Sequence, residues 1–436
     1  MARRDGATGQ YVTGFRQRTP LVPVTAVLDL SGATLWVDCE RGYASSTYRG
    51  VPCRSKQCRI TGANSCFTNC PGARNPSCLN NTCAEMVENP AVTTSGNMVI
   101  DVLALPTTSG PAPPGPLATA PAFVFTCGFT FLRKGLAAGA TGMVSLSRAP
   151  FALPTQLAAT FRFPRRFALC LPPAGTAGAV VFGDAPYKFQ PGVEVSRSSL
   201  IYTPLLVNPV STAGAFFEGE KSDEYLIVVT GIKVNGRAVP LNATLLAIDR
   251  KGVGGVGTNH VVVAWETTLS TMAGAVRVEE SGVERDADFL DSGTKLSIVA
   301  PYTVLETSIH KAVTDAFAAA TAGIPRVKPV APFKLCYDGS KVGSSRVGPG
   351  VPTIELVLQG GAASWVVFGA NSMVATKGGA LCLGVVDGGK APRTSVVIGG
   401  HMMEDNLLEF DLASSRLGFS SSLLFRQTNC NNFHLG

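Results

Sequence analysis

Charged residues make up only 15% of this 436-residue chain, and histidine occurs just four times. The histidines, His260, His310, His401 and His434, are too scattered to form a metal set, so no metal or other cofactor is expected. His310 falls beside a helical apolar stripe and reads as an ordinary surface histidine. No run approaches the roughly eighteen apolar residues of a membrane span. No apolar core follows the charged start MARRDGATGQYVTGFRQR, so no signal peptide is read there. The stretch GVGGVGTNH lacks the Lys-Ser/Thr ending of a phosphate loop. Lysine and arginine form no block beyond arginine pairs, and the net charge of +7 is spread thin. That excludes a clustered nucleic-acid footprint. An acidic polysaccharide is the better physical match for a basic chain.

What is present points to strands. Hydrophobic residues reach 45%, while 47 glycines and 29 prolines punctuate short runs rich in Val, Ile, Thr and Phe. The expected fold is all-β with a few short helices. Twelve cysteines, an even number, seven of them between Cys39 and Cys83, lack the paired spacing of zinc sites. They read as a disulfide framework made in an oxidising compartment, which gives an extracellular expectation. The sequons at Asn80 and Asn242 agree with that.

Strand-like text runs from about residue 10 to 190, with a cysteine-laced loop between Cys53 and Cys83 and one helical patch, ALPTQLAATF. The stretch KFQPGVEVSRSSL, near 188–200, loses periodicity and reads as a linker. Beyond it the strands resume, with a hairpin signal at Asn235-Gly236. A helix is expected over PYTVLETSIHKAVTDAFAAAT, starting at Pro301 with a stripe of Val304, Leu305, Ile309, Val313, Ala316 and Phe317.

Several phrases together resemble the bilobal pepsin-like aspartic protease fold: QYVTGF, AVLDLSGATLWVDCE, TGMVSLSRAPFALPTQLA and SVVIGGHMMEDNLLEFDLASSRLGFS. Within it, GLAAGATGMVSLSR, PYTVLETSI and NCNNF are similar to a plant extracellular branch that has lost protease activity. That branch comprises the cereal xylanase inhibitors, the extracellular dermal glycoproteins and the basic 7S globulins. The resemblance implies lobes of residues 8–195 and 196–436, and a monomer that inhibits secreted microbial glycanases. It also implies pairing of Cys39 with Cys127, Cys53 with Cys58, Cys336 with Cys382 and Cys170 with Cys430. Cys66, Cys70, Cys78 and Cys83 are left to staple the loop.

An aspartic protease needs two carboxylates sharing a proton, each in an Asp-Thr-Gly turn. The first turn here is Asp29-Leu30-Ser31-Gly32, without the threonine hydroxyl that ties the loops together. The lid hairpin, CAEMVENPAVTTSGNMVIDV, has no aromatic residue. Asp291-Ser292-Gly293-Thr294 makes a nearly complete second motif, but it ends a stretch, 256–293, that has no counterpart in the resemblance and suits an intron read through in frame. Two readings stand: an aspartic endopeptidase using Asp29 and Asp291, or an inhibitor in which Asp291 is an accident. A storage or peptide-binding globulin is a third. For an inhibitor, the loop SSSLLFRQTNC before the last cysteine offers Phe425 and Arg426, the latter able to pair with the carboxylates of a glycosidase.

Overall fold

The computed structural model describes residues 1–62, 65–70, 76–108, 115–184, 186–209, 211, 221–246, 293–361, 363–390 and 392–434. Asp291 and nearly all of the 256–293 stretch lie outside them. The architecture is the expected one: short strands in two lobes, few short helices, six disulfides.

One large sheet runs through the first half of the chain and ends in strands of the second. In it Arg166–Cys170 pairs on one side with Ala177–Phe182 and on the other with Leu407–Asp411. The rings of Phe167 and Phe410 stack 4.6 Å apart where these strands meet. Tyr225 packs against the same two rings, and its hydroxyl donates to the Leu146 carbonyl at 2.7 Å. Buried aromatic contacts of this kind stabilise beyond their burial alone.

The two halves repeat one ladder. In the first, Val22–Asp29 runs parallel to Gly142–Ser145, which runs antiparallel to Trp36–Asp38, itself parallel to Leu117–Gly128. In the second, Thr294–Leu296 runs parallel to Val396–Ile398, which is antiparallel to Thr303–Leu305, itself parallel to Val385–Asp387. Gly142–Ser145 and Trp36–Asp38 are buried at every position, as continuous apolar runs require, whereas Lys295, Val304 and Val397 at the centre of the second ladder are only partly buried.

Several local expectations change. The helix spans Thr307–Ala320 and is capped by Glu306, whose Oε2 accepts from the Ser308 and Ile309 N–H groups. Val304 and Leu305 belong to a strand, and Pro301 is not at the helix start. His310 is not a surface residue: it is 6% exposed, and burial pushes its imidazole pKa down. The expected linker is instead a hairpin of Tyr187–Phe189 and Val193–Val195 that pairs with Phe433–His434. It shares a small core with Leu200, Leu423 and the Cys170–Cys430 disulfide.

Cys39–Cys127, Cys336–Cys382 and Cys170–Cys430 are bonded. Cys53 bonds Cys66 and not Cys58, which reaches Cys83; Cys70 bonds Cys78. The Lys56–Ile60 helix lies between Cys53 and Cys66, and its buried Cys58 faces the sheet strand carrying Cys83. Spacing alone gives no such geometry.

Candidate functional site

Asp29 ends its strand, buried at 8% exposure. Gly32 holds φ +84°, a left-handed conformation that glycine adopts freely, and its carbonyl accepts from the Ser145 and Ser147 hydroxyls at 2.6 and 2.8 Å. The turn is therefore well braced. Its side chain, however, is occupied from within: Oδ1 accepts from the Ser31 N–H at 2.9 Å, and the Ser31 hydroxyl lies 2.8 and 2.9 Å from the two carboxylate oxygens.

Burial raises the Asp29 pKa above the usual carboxylate range. The Ser31 bonds pull it down, Glu224 pushes it up and Lys295 pulls it down. Glu224 and Lys295 form their own ion pair at 2.7 Å, with Glu224 also accepting from Ser222 Oγ. The charges acting on Asp29 are thus those of this Lys–Glu pair.

Strand register identifies the mirror position of Asp29. Met143 pairs both with the residue two before Asp29, Val27, and with the residue seven after it, Trp36. Val397 pairs with Lys295 and Val304 in the same two ways. Both relations are satisfied by one residue, two after Lys295 and seven before Val304: Ser297. Its N–H donates to the Ile398 carbonyl at 3.0 Å, and its hydroxyl accepts from the Ala300 N–H at 3.3 Å. A serine hydroxyl does not ionise in the range of a carboxylate dyad. Asp291 lies six positions earlier in sequence, outside the described residues.

The residues following the two positions, Leu30 and Ile298, are 1% and 0% exposed and belong to the main core. Aliphatic side chains fill the places where hydroxyls would tie the turns. The lid hairpin is formed by Thr82–Glu88 and Thr93–Pro106. Its turn is closed by Asn89, whose Oδ1 accepts from the Ala91 and Val92 N–H groups while Nδ2 donates to the Leu132 and Lys134 carbonyls. Trp36 Nε1 donates to the Glu88 carbonyl at 3.1 Å. This hairpin is fastened to the first lobe by side-chain donors bonded to backbone carbonyls.

We expect Asp29→Ala to lower stability by about 1–3 kcal/mol, because the Ser31 N–H and hydroxyl lose their acceptor. The folded pKa of Asp29 is raised, so its contribution is fullest below the ordinary carboxylate pKa and declines as pH rises through the folded value. Denaturant melts should show a larger loss at pH 4 than at pH 7; an equal loss at both would contradict the assigned environment.

Phe425 and Arg426 lie in a short 3-10 turn, Leu423–Arg426, and both are exposed, Phe425 at 51%. The turn is anchored beneath them. Leu423 is fully buried and its N–H donates to the Asp405 carbonyl, Thr428 Oγ1 donates to the Gln190 carbonyl, and Cys430 N–H donates to Asp405 Oδ1 at 2.9 Å. Phe425 rests edge-on against Phe368 at 4.7 Å. The buried Asp405 carboxyl is pushed up to about 6. A raised carboxyl pKa withdraws stability as pH climbs from about 4 through 6, amounting to about 3 kcal/mol above that window. Asparagine keeps the Oδ1 acceptor and tolerates the φ of +50°. Asp405→Asn should therefore raise the melting midpoint at pH 7 and leave it nearly unchanged at pH 3.5.

Asn242 is exposed, and its Oδ1 accepts from Thr244 Oγ1 at 2.8 Å. Asn80 Oδ1 accepts from the Cys70 N–H, and Thr82 of that sequon is buried. Among the described residues no cluster of His, Cys, Asp or Glu is arranged to hold a metal, and no helix is long and apolar enough to cross a membrane.

Residues 11–184 match the xylanase inhibitor N-terminal family model, and residues 273–421 match the xylanase inhibitor C-terminal model. A Nicotiana benthamiana protein named probable aspartic proteinase GIP2 is 48% identical, with 99% of this chain and 90% of the relative covered. Gamma conglutin 1 of Prunus dulcis is 39% identical, with 100% and 88% covered. Among solved structures, edgp has a TM-score of 0.87 at 44% identity, covering 99% of this chain and 96% of that one. Soybean basic 7S globulin has a TM-score of 0.75 at 32% identity, covering 99% and 97%. The chain belongs to the xylanase-inhibitor family of pepsin-fold proteins, together with the gamma conglutins and basic 7S globulins.

Proposed function

We propose that this protein is an extracellular inhibitor of secreted microbial glycanases of the xylanase type, built on a protease fold that no longer hydrolyses peptides. In this reading it acts as a monomer with lobes of residues 8–195 and 196–436. The observation that carries the reading is the serine at the mirror position of Asp29: without a second carboxylate there, no proton is shared and no water is activated between two acids. Binding is what such a scaffold retains.

The anchored turn bearing Phe425 and Arg426 supports the inhibitory part. An exposed aromatic beside an arginine, held on a rigid support, is the composition of an interface hot spot. The arginine fork suits the paired carboxylates of a glycoside hydrolase. Titration against a panel of secreted xylanases and related glycanases should give near-stoichiometric inhibition of at least one. Phe425→Ala and Arg426→Ala should each weaken it by about 2 kcal/mol, roughly thirtyfold, with the melting midpoint unmoved in Arg426→Ala and lowered only by the lost Phe368 contact in Phe425→Ala. Unchanged inhibition in both variants would remove this turn from the interface.

A second reading, an aspartic endopeptidase using Asp29 and Asp291, draws on the name of the Nicotiana benthamiana relative. It requires a carboxylate to reach Asp29 from outside the ladder position that Ser297 fills.

A further inference from the structure

The stretch from Arg41 to Ala84 contains Arg41, Arg49, Arg54, Lys56, Arg59 and Arg74, and no aspartate or glutamate. Set against a net charge of +7 for the whole chain, this one segment concentrates charge that looks evenly spread in the linear text. Arg41, Arg49, Arg54, Lys56 and Arg59 are all exposed; Arg74 lies outside the described residues. Among the described residues none of these five forms an ion pair.

Of the acids near the segment, Glu40 is exposed, with its Oε2 accepting from the Thr130 N–H at 2.9 Å, while the other two are withdrawn. Glu85 is 7% exposed, and Asp101 is 1% exposed with its carboxylate accepting from Tyr43, Ser45 and Thr47. The support is stiff. Arg49–Gly50 pairs with the sheet at Ile100 and Val99, and Val51 and Cys53 are tied by backbone bonds to Met98 and Asn81. The disulfides Cys53–Cys66 and Cys58–Cys83 fix the Lys56–Ile60 helix, and Arg59 Nη1 donates to the Arg54 carbonyl at 3.1 Å. Cations fixed on such a platform need little ordering when a ligand arrives.

We propose that this stapled surface is a binding site for an acidic polysaccharide, a polyuronate carrying one carboxylate per sugar. Several exposed cations without acids among them in the segment suit a polymer that carries a charge on every sugar. Six disulfides place the chain in an oxidising compartment, which disfavours nucleic acid as the polyanion. The site is independent of the glycanase reading, since Arg54, Lys56 and Arg59 lie in the first lobe and Phe425 in the second. It would hold the protein on a polymer matrix while another surface stays free.

The test is binding of the purified full chain to polygalacturonate at about 0.1 M salt, with fully methyl-esterified pectin as the same backbone without charge. We expect binding to polygalacturonate only, weakening linearly in log Kd against log salt. Arg54→Ser/Lys56→Ser/Arg59→Ser should lose about tenfold or more in affinity, as removal of several polyanion contacts requires. Arg54→Lys/Arg59→Lys should keep most of it, and Lys56→Glu alone should reduce both affinity and salt slope should the triple variant not fold. Equal binding to the esterified polymer, triple-variant affinity within twofold of the parent, or duplex DNA binding as tightly as polygalacturonate would each overturn the proposal.

Discussion

Glu404→Ala is expected to destabilise the protein by about 3–5 kcal/mol, the cost of removing one partner from a buried charge cluster. Glu404 is 4% exposed and sits between three groups. Oε1 accepts from the Tyr11 hydroxyl at 2.8 Å and lies 3.2 Å from Arg4 Nη1, while Oε2 lies 2.9 Å from His401 Nδ1. His401 Nε2 is 3.0 Å from the Met373 carbonyl, so both ring nitrogens face acceptors. Truncation leaves the Arg4 guanidinium, the imidazole and a buried phenol facing a void. Burial, followed by the Glu404 charge, already pushes the Tyr11 pKa far up, so the phenol does not ionise to compensate. Arg4 and Tyr11 come from the opening strands and Glu404 from near the end of the chain, so the loss falls on the junction of the lobes. Denaturant melts measure it, and a loss below about 1 kcal/mol would mean that water already satisfies the cluster.

Replacing both Cys170 and Cys430 by serine is the second large effect. The bond closes a sequence separation of 260 residues, and both sulfurs are buried among Tyr187, Phe189, Leu200 and Leu423. On the chain-entropy account, opening a loop of that size costs about 5–6 kcal/mol, and two serine hydroxyls then lie in an apolar pocket. The change is also functional. The Cys430 N–H that Asp405 accepts lies four residues beyond Arg426, so a loosened C-terminal segment frees the turn presenting Phe425 and Arg426. Inhibitory potency should fall together with stability here, whereas Arg426→Ala lowers potency alone. A double serine variant that melts like the parent would contradict the anchoring role.

Much of this was legible in the chain. Alternating apolar runs and glycine punctuation give the strands, and Asn235-Gly236 gives its hairpin because both residues hold positive φ, 52° and 74°. The first half-site was equally plain: Ser31 stands beside Asp29 in sequence and its hydroxyl fills the space in front of the carboxylate. The second was obscured by good local chemistry. Asp291-Ser292-Gly293 has the look of a catalytic turn, while Ser297 has none, and only long-range register assigns the position. A signal existed in spacing, since Trp36 follows Asp29 by seven residues and Val304 follows Ser297 by the same interval. Pro191-Gly192 broke the periodicity of a hairpin and made it look like a linker. Cysteine pairing in the loop depended on where a five-residue helix turns Cys58, which no spacing rule contains.

We propose that the pepsin ladders here carry a structural aspartate opposite a serine and not a working dyad. Peptide hydrolysis by the purified protein, followed from pH 3 to 7, about the range in which a carboxylate dyad holds its shared proton, tests it most directly. No hydrolysis is expected at any of these values, with the same baseline for Asp29→Ala and no effect of a transition-state-like peptide inhibitor. Acid proteolysis that such an inhibitor blocks, and that disappears in both Asp29→Ala and Asp291→Ala, would contradict it outright.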